Sequence, residues 1–288
     1  GIGGFGGGGA EASFGASGMY ASGKGAARFG GSGGFGGSGS GFCGGSGVGH
    51  GEFAPIARGG HRDAPQPASQ PLPLVEVCRA ADVAEVEALL ARPGTDVNES
   101  DEHGGCPLLY AALAGSVEIV RALLARRELR ANLPTASGAT PLFAAAQEGH
   151  VAVAEALLAH SGVDPNLPKA NGVTPLFRAA QDGHAAMAVT LLRHPATDPN
   201  RSMADGSSPL FIAAQQGHVD VARVLLRHTA TDPNRRGGGD ASPLFQAAKN
   251  GHQATVEVLL SHRGTDAALP SQGGRTPLHG AVFGSDRA

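Results

Sequence analysis

Residues 140–172 read TPLFAAAQEGHVAVAEALLAHSGVDPNLPKANG, and the pattern returns along the chain at a fixed step of 34 residues. Thr140-Pro-Leu-Phe recurs as Thr174-Pro-Leu-Phe, Ser208-Pro-Leu-Phe, Ser242-Pro-Leu-Phe and Thr276-Pro-Leu-His, and one step back as Cys106-Pro-Leu-Leu. Gly-His recurs at Gly149-His150, Gly183-His184, Gly217-His218 and Gly251-His252, and Asp-x-Asn begins at Asp96, Asp164, Asp198 and Asp232. No gap interrupts the step between Pro73 and Ala288. A period of this length marks a solenoid, in which each unit completes its neighbour's core.

Ser or Thr ahead of Pro starts a helix. The hydroxyl accepts a hydrogen bond from an orphan N–H, and Pro at the first helical position has no N–H to lose. Leu142, Ala145 and Ala146 then form a short apolar face whose small residues let a neighbour approach closely. Gly149 ends this helix, because a left-handed residue there costs glycine nothing. A second helix is expected over about 150–159, with Val151, Ala154, Leu157 and Leu158 on one face. Asp-Pro-Asn stops it, and Asn171-Gly172 turns the chain back to Thr174.

Helix, turn, helix, turn, with the signature TPLF-x-AA-x-x-GH-x-x-V-x-x-LL…D-P-N…G, resembles the ankyrin repeat. Two features depart from that family's pattern. Phe stands in four repeats where the family has His, and one extra residue separates the Leu-Leu pair from Asp-x-Asn. The insertion falls in a loop, where added length costs little. The resemblance spans residues 73–288 and implies an all-α repeat solenoid of stacked helix-turn-helix units with β-turn or hairpin loops. It further implies partner binding on the concave face of the first helices and at the turn tips.

The remainder of the chain has a different composition. Residues 1–60 hold 26 of the 46 Gly, with Phe5, Phe14, Phe29 and Phe35 each followed by Gly. This segment lacks the apolar surface to offset its ordering entropy and is expected to be disordered. Its Phe-Gly pairs resemble nucleoporin-type cohesive tails in composition only. Gly18-x-x-x-x-Gly23-Lys24 lacks the hydroxyl of a phosphate loop at Gly25, and Gly31-x-Gly33-x-x-Gly36 is a chance product of Gly-rich sequence. Residues 61–72 read as a Pro-rich linker. Residues 73–105 form a capping unit, with Glu85 standing where later repeats carry Ile119, Val153, Met187 and Val221. Repeats follow at 106–139, 140–173, 174–207, 208–241 and 242–275. A truncated one at 276–288 is expected to fray, as if the natural chain continued.

Of 22 Lys and Arg and 25 Asp and Glu, four and three lie in residues 1–72. That leaves 18 against 22, a net of −4, for residues 73–288. The balance speaks against general affinity for nucleic acid phosphate. No apolar run is long enough to span a membrane. Cys43, Cys78 and Cys106 have neither metal nor disulfide spacing and point mildly to a reducing, intracellular location, cytoplasmic or nuclear.

Candidate partner-binding residues are those that drift while the frame repeats. After Pro-Leu-Phe or its equivalent come Tyr110, Ala144, Arg178, Ile212 and Gln246. Before Gly-His come Gln147-Glu148, Gln181-Asp182, Gln215-Gln216 and Lys249-Asn250. The turns add Lys169, Arg201, Asp205, Arg235 and Arg236. Tyr110 and Arg178 are the foremost anchors, since aromatic and Arg side chains dominate interfaces. The cations toward the C-terminal repeats suggest an acidic partner segment.

Two histidine ladders, His150, His184, His218, His252 and His160, His194, His228, His262, sit one repeat apart. Helices pack 8–10 Å apart and zinc needs ligands at about 2 Å, so no metal is expected. The first ladder is read as capping the second helix and hydrogen-bonding the adjacent turn, and the second as favouring the helix's C-terminal dipole. Asn98, Asn132, Asn166, Asn200 and Asn234 resemble a position hydroxylated in some ankyrin proteins, but are read chiefly as turn asparagines bonding their own backbone. No nucleophile, paired carboxylate or metal motif interrupts the pattern. The expectation is a monomeric, non-catalytic scaffold or adaptor that binds another protein and needs no cofactor. The alternatives are a regulatory or substrate-docking segment of a larger multidomain enzyme, or a structural role in which the Phe-Gly segment drives condensation.

Overall fold

The structure, a computed structural model, describes residues 73–285, with side chains as far as Val282. The Gly-rich segment, the Pro-rich linker, Cys43, both phosphate-loop look-alikes and residues 286–288 lie outside the described residues.

The described chain is a run of helix pairs: α1 (Leu74–Ala80) with α2 (Val83–Leu90), α3 (Pro107–Ala114) with α4 (Val117–Leu124), and α5 (Pro141–Glu148) with α6 (Val151–Leu158). Next come α7 (Pro175–Asp182) with α8 (Ala185–Arg193), α9 (Pro209–Gln216) with α10 (Val219–Arg227), α11 (Pro243–Lys249) with α12 (Gln253–Ser261), and lastly α13 (Pro277–Ser285). Each first helix packs on the first helix of the next unit, and each second helix on the next second helix, giving two layers.

The starts obey the Ser/Thr-Pro rule. Thr140, Thr174, Ser208 and Ser242 hydroxyls accept from the backbone N–H of Phe143, Phe177, Phe211 and Phe245 at 3.1–3.3 Å. Cys106 occupies the same position without such a bond. Between units the turn is pinched by a backbone bond across five residues, Thr135 N–H to the Ala139 carbonyl and Lys169 N–H to that of Val173, both at 2.9 Å. One isolated antiparallel bridge, Gly237 with Ala241, is the sole β feature among the described residues.

The core runs between the layers. Ala111, Ala112 and their equivalents Ala145, Ala146, Ala179, Ala180, Ala213, Ala214 and Ala247 are sealed between first helices. Leu123, Leu157, Leu191, Leu225 and Leu259, one in each second helix from α4 to α12, are fully buried. Removing any one of them to Ala costs roughly 2–5 kcal/mol. Phe143, Phe177, Phe211 and Phe245 are buried too. Where His takes that place, His279 Nδ1 lies 2.8 Å from the Thr276 hydroxyl.

The ends differ from the middle. Glu85 is exposed while Ile119, Val153, Met187 and Val221 are at most 1% exposed. A carboxylate is accommodated in the first described pair, where this position stays open to solvent. At the other end Leu278 is 76% and Val282 60% exposed, although α13 is a formed helix lying on α11.

Candidate functional site

The invariant residues are largely engaged in joining units. Each turn asparagine clasps the next repeat: Asn166 donates to the Ala196 carbonyl at 2.6 Å and accepts from Asp198 N–H at 2.8 Å. Asn98, Asn132, Asn200 and Asn234 do the same one step before or after. This corrects the expectation that they bond their own backbone. That duty falls to Asp96, Asp164, Asp198 and Asp232, whose carboxylates accept from the N–H two residues on.

The Gly-His histidines also reach across rather than cap. No cap bond forms from His150, His184, His218 or His252. Their Nε2 atoms sit 3.0–3.1 Å from the carbonyls of Leu113, Gln147, Gln181 and Gln215 in the preceding first helices. In the second ladder, His160 and His262 accept at Nδ1 from Gly162 and Gly264 N–H. They serve as acceptors within the turn. Among the described residues, no three His, Cys, Asp or Glu side chains converge as a metal site. Cys78 and Cys106 are buried free thiols, and burial pushes Cys78 up to about 12 and raises Cys106 also. In both, burial disfavours the thiolate that reactivity requires.

The drifting residues line the first-helix surface. Tyr110, half-buried on α3, is held by a clasp absent from sequence reasoning. Its hydroxyl donates to Asp101, while Arg79 on α1 donates to the Asp101 carboxylate and to the Tyr110 oxygen, both at 2.8 Å. The Arg79 guanidinium also stacks 4.4 Å from the ring centre. The tyrosine's hydrogen bond holds the Asp101 carboxyl below its ordinary range, and the same bond raises the Tyr110 phenol. A side chain at Gly105 would meet the Tyr110 hydroxyl at 2.5 Å, so the ring lies flat on the turn.

Arg178, the other foremost candidate, is committed within its own helix. Its Nε is 2.8 Å from the Asp182 carboxylate, and it donates to Gln181 at 3.0 Å. Burial raises the Asp182 carboxyl despite that partner. Among the turn cations, Arg236 pairs with Asp240, Arg235 donates to Ser202 Oγ at 2.9 Å, and Arg201 is exposed. Gln147 donates to Glu148 at 2.9 Å, and Asn250 spans to the Gln215 carbonyl at 2.8 Å. Gln216 and Lys249 are exposed, and Gln215 and Gln181 half-buried. Ile212 at 7% and Gln246 at 9% exposure present less surface than their positions imply, being packed in the stack.

Among the described residues, two clefts lie between first helices and turn tips. One of about 330 Å³ lies between α3 and α5, lined by Tyr110, Leu113, Phe143 and Ala144 with the 135–139 turn. The other, about 200 Å³, lies between α11 and α13, lined by Gln246, Lys249 and Gly280 with Ser271, Gln272 and Arg275. Leu113 was legible in sequence as the apolar member of a series otherwise reading Gln147, Gln181, Gln215 and Lys249.

Residues 74–169 and 161–237 match the family model described as ankyrin repeats, three copies. Among solved structures, the chain is similar to EF0377, an ankyrin repeat protein, at 23% identity over 66% of this chain and 98% of that one, with a TM-score of 0.62. It is also similar to the ankyrin repeat domain of Bcl-3, titled a unique member of the IkappaB protein family, at 21% identity, 75% and 98% coverage and a TM-score of 0.66. The human ASB11 ankyrin repeat domain aligns at 24% identity, 74% and 95% coverage and a TM-score of 0.63. At these identities the likeness is one of fold. No curated protein matches the chain. Among the described residues no helix is long and apolar enough to cross a membrane.

Proposed function

This chain belongs to the ankyrin repeat family, and from that premise we propose that it is a non-catalytic scaffold or adaptor, binding another protein through the first-helix face and turn tips. Ankyrin repeats are general protein–protein interaction modules. We take the binding unit as residues 73–288, monomeric and intracellular, carried behind the 1–60 segment and the 61–72 linker.

One observation carries the reading. Residues that repeat are buried or bonded to the next unit, as in the asparagine clasps and the sealed leucines. Residues that vary, Tyr110, Gln147, Arg201, Gln216 and Lys249 among them, lie at the accessible first-helix and turn surface. A surface varied against a constant frame is how one scaffold comes to recognise one ligand.

The test is quantitative affinity capture with the full chain, compared with Tyr110→Ser and with a double variant Arg201→Ser, Gln216→Ala. A partner lost from both variants but retained by a Glu118→Gln control on the second-helix layer supports the reading. Partners held equally by all four proteins would overturn it.

A further inference from the structure

The seams between successive first helices carry the same positions, related by the 34-residue step. The residue after Pro-Leu-x reads Tyr110, Ala144, Arg178, Ile212, Gln246 and Gly280 along the stack. Four of the six fill their own seam. Tyr110 is clasped by Arg79 and Asp101, Arg178 runs to Asp182 and Gln181, and Ile212 and Gln246 are packed in. The other two are small, and the clefts lie beside them, at Ala144 and at Gly280. Gly280 stands on α13, the last described helix. Among the described seams flanked by complete helix pairs, that at Ala144 alone has no side chain beyond Cβ at this position.

The seam one unit earlier shows what such a space accepts. The 34-residue step carries Arg79 onto Leu113, Asp101 onto Thr135 and Tyr110 onto Ala144. Between α1 and α3 the Tyr110 ring lies under the Arg79 guanidinium, 4.4 Å from the ring centre, with its hydroxyl on Asp101. Between α3 and α5, Leu113 and Thr135 line the cleft in the places of Arg79 and Asp101, and the ring is missing. We propose that this cleft receives one aromatic side chain of a partner protein, set down where the fold places its own tyrosine one unit earlier. This rests on the protein-binding reading above and adds the chemistry of the anchor and its place in the stack.

The walls fit that occupant. Tyr110, Leu113, Phe143 and Ala144 give the cleft apolar surface, and no Lys, Arg, Asp or Glu lines it. A charged side chain would lose water there without meeting a counter-charge. A ring gains by burial and by contact with aromatic walls. Those walls are fixed beforehand: Arg79 and Asp101 hold the tyrosine, and Thr135 Oγ1 accepts from the Ala139 N–H at 3.1 Å and pairs with Ser137 Oγ at 3.0 Å. Little side-chain freedom is therefore lost on binding. One difference between the seams sets how the ring must arrive. Ala139 stands where Gly105 lets Tyr110 lie on the turn, and a Cβ at Gly105 would meet the tyrosine hydroxyl at 2.5 Å. A ring tethered at 144 would meet the Ala139 methyl in the same way, whereas one entering from outside is free to settle against Phe143 and Leu113.

The probes are the N-acetyl amides of phenylalanine, leucine and glutamate, titrated into the isotope-labelled full chain while backbone amide shifts are recorded by NMR. The phenylalanine probe should saturably shift amides within 103–113 and 135–147, and bind at least about threefold tighter than the leucine probe. The glutamate probe should leave them unmoved. Ala144→Ile, which installs the residue the fold already seats at Ile212, should weaken the phenylalanine probe about tenfold. Leu113→Gln, matching Gln147, Gln181 and Gln215, makes the same test without filling the floor. Amide shifts elsewhere in the stack verify that each variant is folded. No saturable shift up to the solubility of the probe, shifts spread along the stack, equal affinity for leucine, or binding unmoved by these substitutions would each overturn the proposal. So would shifts that grow with the chain's own concentration and vanish in Ala144→Ile, which would give the cleft to a second copy. Absent probe shifts beside a partner captured through Arg201 and Gln216 would sink this proposal alone. Saturable probe shifts beside capture equal in all four proteins would sink the reading above alone.

Discussion

Gly183 and His218 offer the sharpest test of how the units are joined. Gly183 ends α7 at φ +79°, and a Cβ built there would lie 2.8 Å from Nδ1 and Cε1 of the His218 ring. That ring keeps its Nε2 3.0 Å from the Gln181 carbonyl. Gly183→Ala therefore combines two costs. Holding alanine in the left-handed region costs roughly 1–2 kcal/mol, and displacing the ring forfeits a hydrogen bond worth about 0.5–1.5 kcal/mol. The sum is roughly 1.5–3.5 kcal/mol. In a His218→Ala background the ring is gone, so only the backbone cost should remain. A double-mutant cycle by urea unfolding, with native-state hydrogen exchange at α7 and α9 to detect partial opening, should give a coupling of about 1 kcal/mol. Gly183→Ala should be the costlier where His218 is intact. Costs that add within about 0.3 kcal/mol would refute the contact as an inter-unit determinant.

Further outcomes follow from other named contacts. Asn166→Ala removes both bonds to the 196–198 turn and should cost about 1–3 kcal/mol in urea unfolding, with faster exchange at the Asp198 amide. Cys106→Thr supplies the missing cap of α3 and should stabilise the chain by roughly 0.5–1 kcal/mol, seen as a higher urea midpoint at unchanged slope. Asp101 is held below its ordinary range, so its contribution is present above the unfolded carboxylate value near 4 and is lost as pH falls through the folded value. Asp101→Asn should flatten that acid-side loss in unfolding measured from pH 6 to pH 2. Because α13 leaves Leu278 and Val282 largely uncovered, its amides should exchange much faster than those of α11.

The fold was legible because its determinants are local and recur. Thr140-Pro-Leu and Gly149-His150 mark helix boundaries by backbone chemistry alone, and further copies of each repeat the message. Even the exposure of Glu85 followed from comparing one position across units. The surface was less legible because it depends on what a neighbouring unit brings. Nothing in the sequence near Tyr110 announces Arg79, 31 residues earlier, as its partner. Arg178 and Asp182 were readable as an i, i+4 ion pair, yet both stood among the binding residues without being joined. Likewise Ala144 gained meaning only as the small member of its series, since a cleft is made by the side chain that is missing.

The unbroken 34-residue step makes every seam equivalent to every other. Excising 174–207 would bring Val173 directly before Ser208, and Asn166 would meet the 230–232 turn in place of the 196–198 turn, with the same kind of acceptor and donor on offer. The shortened chain should still close on itself, but as a ruler with one graduation cut out. It would be shorter by one stride of roughly 8–10 Å.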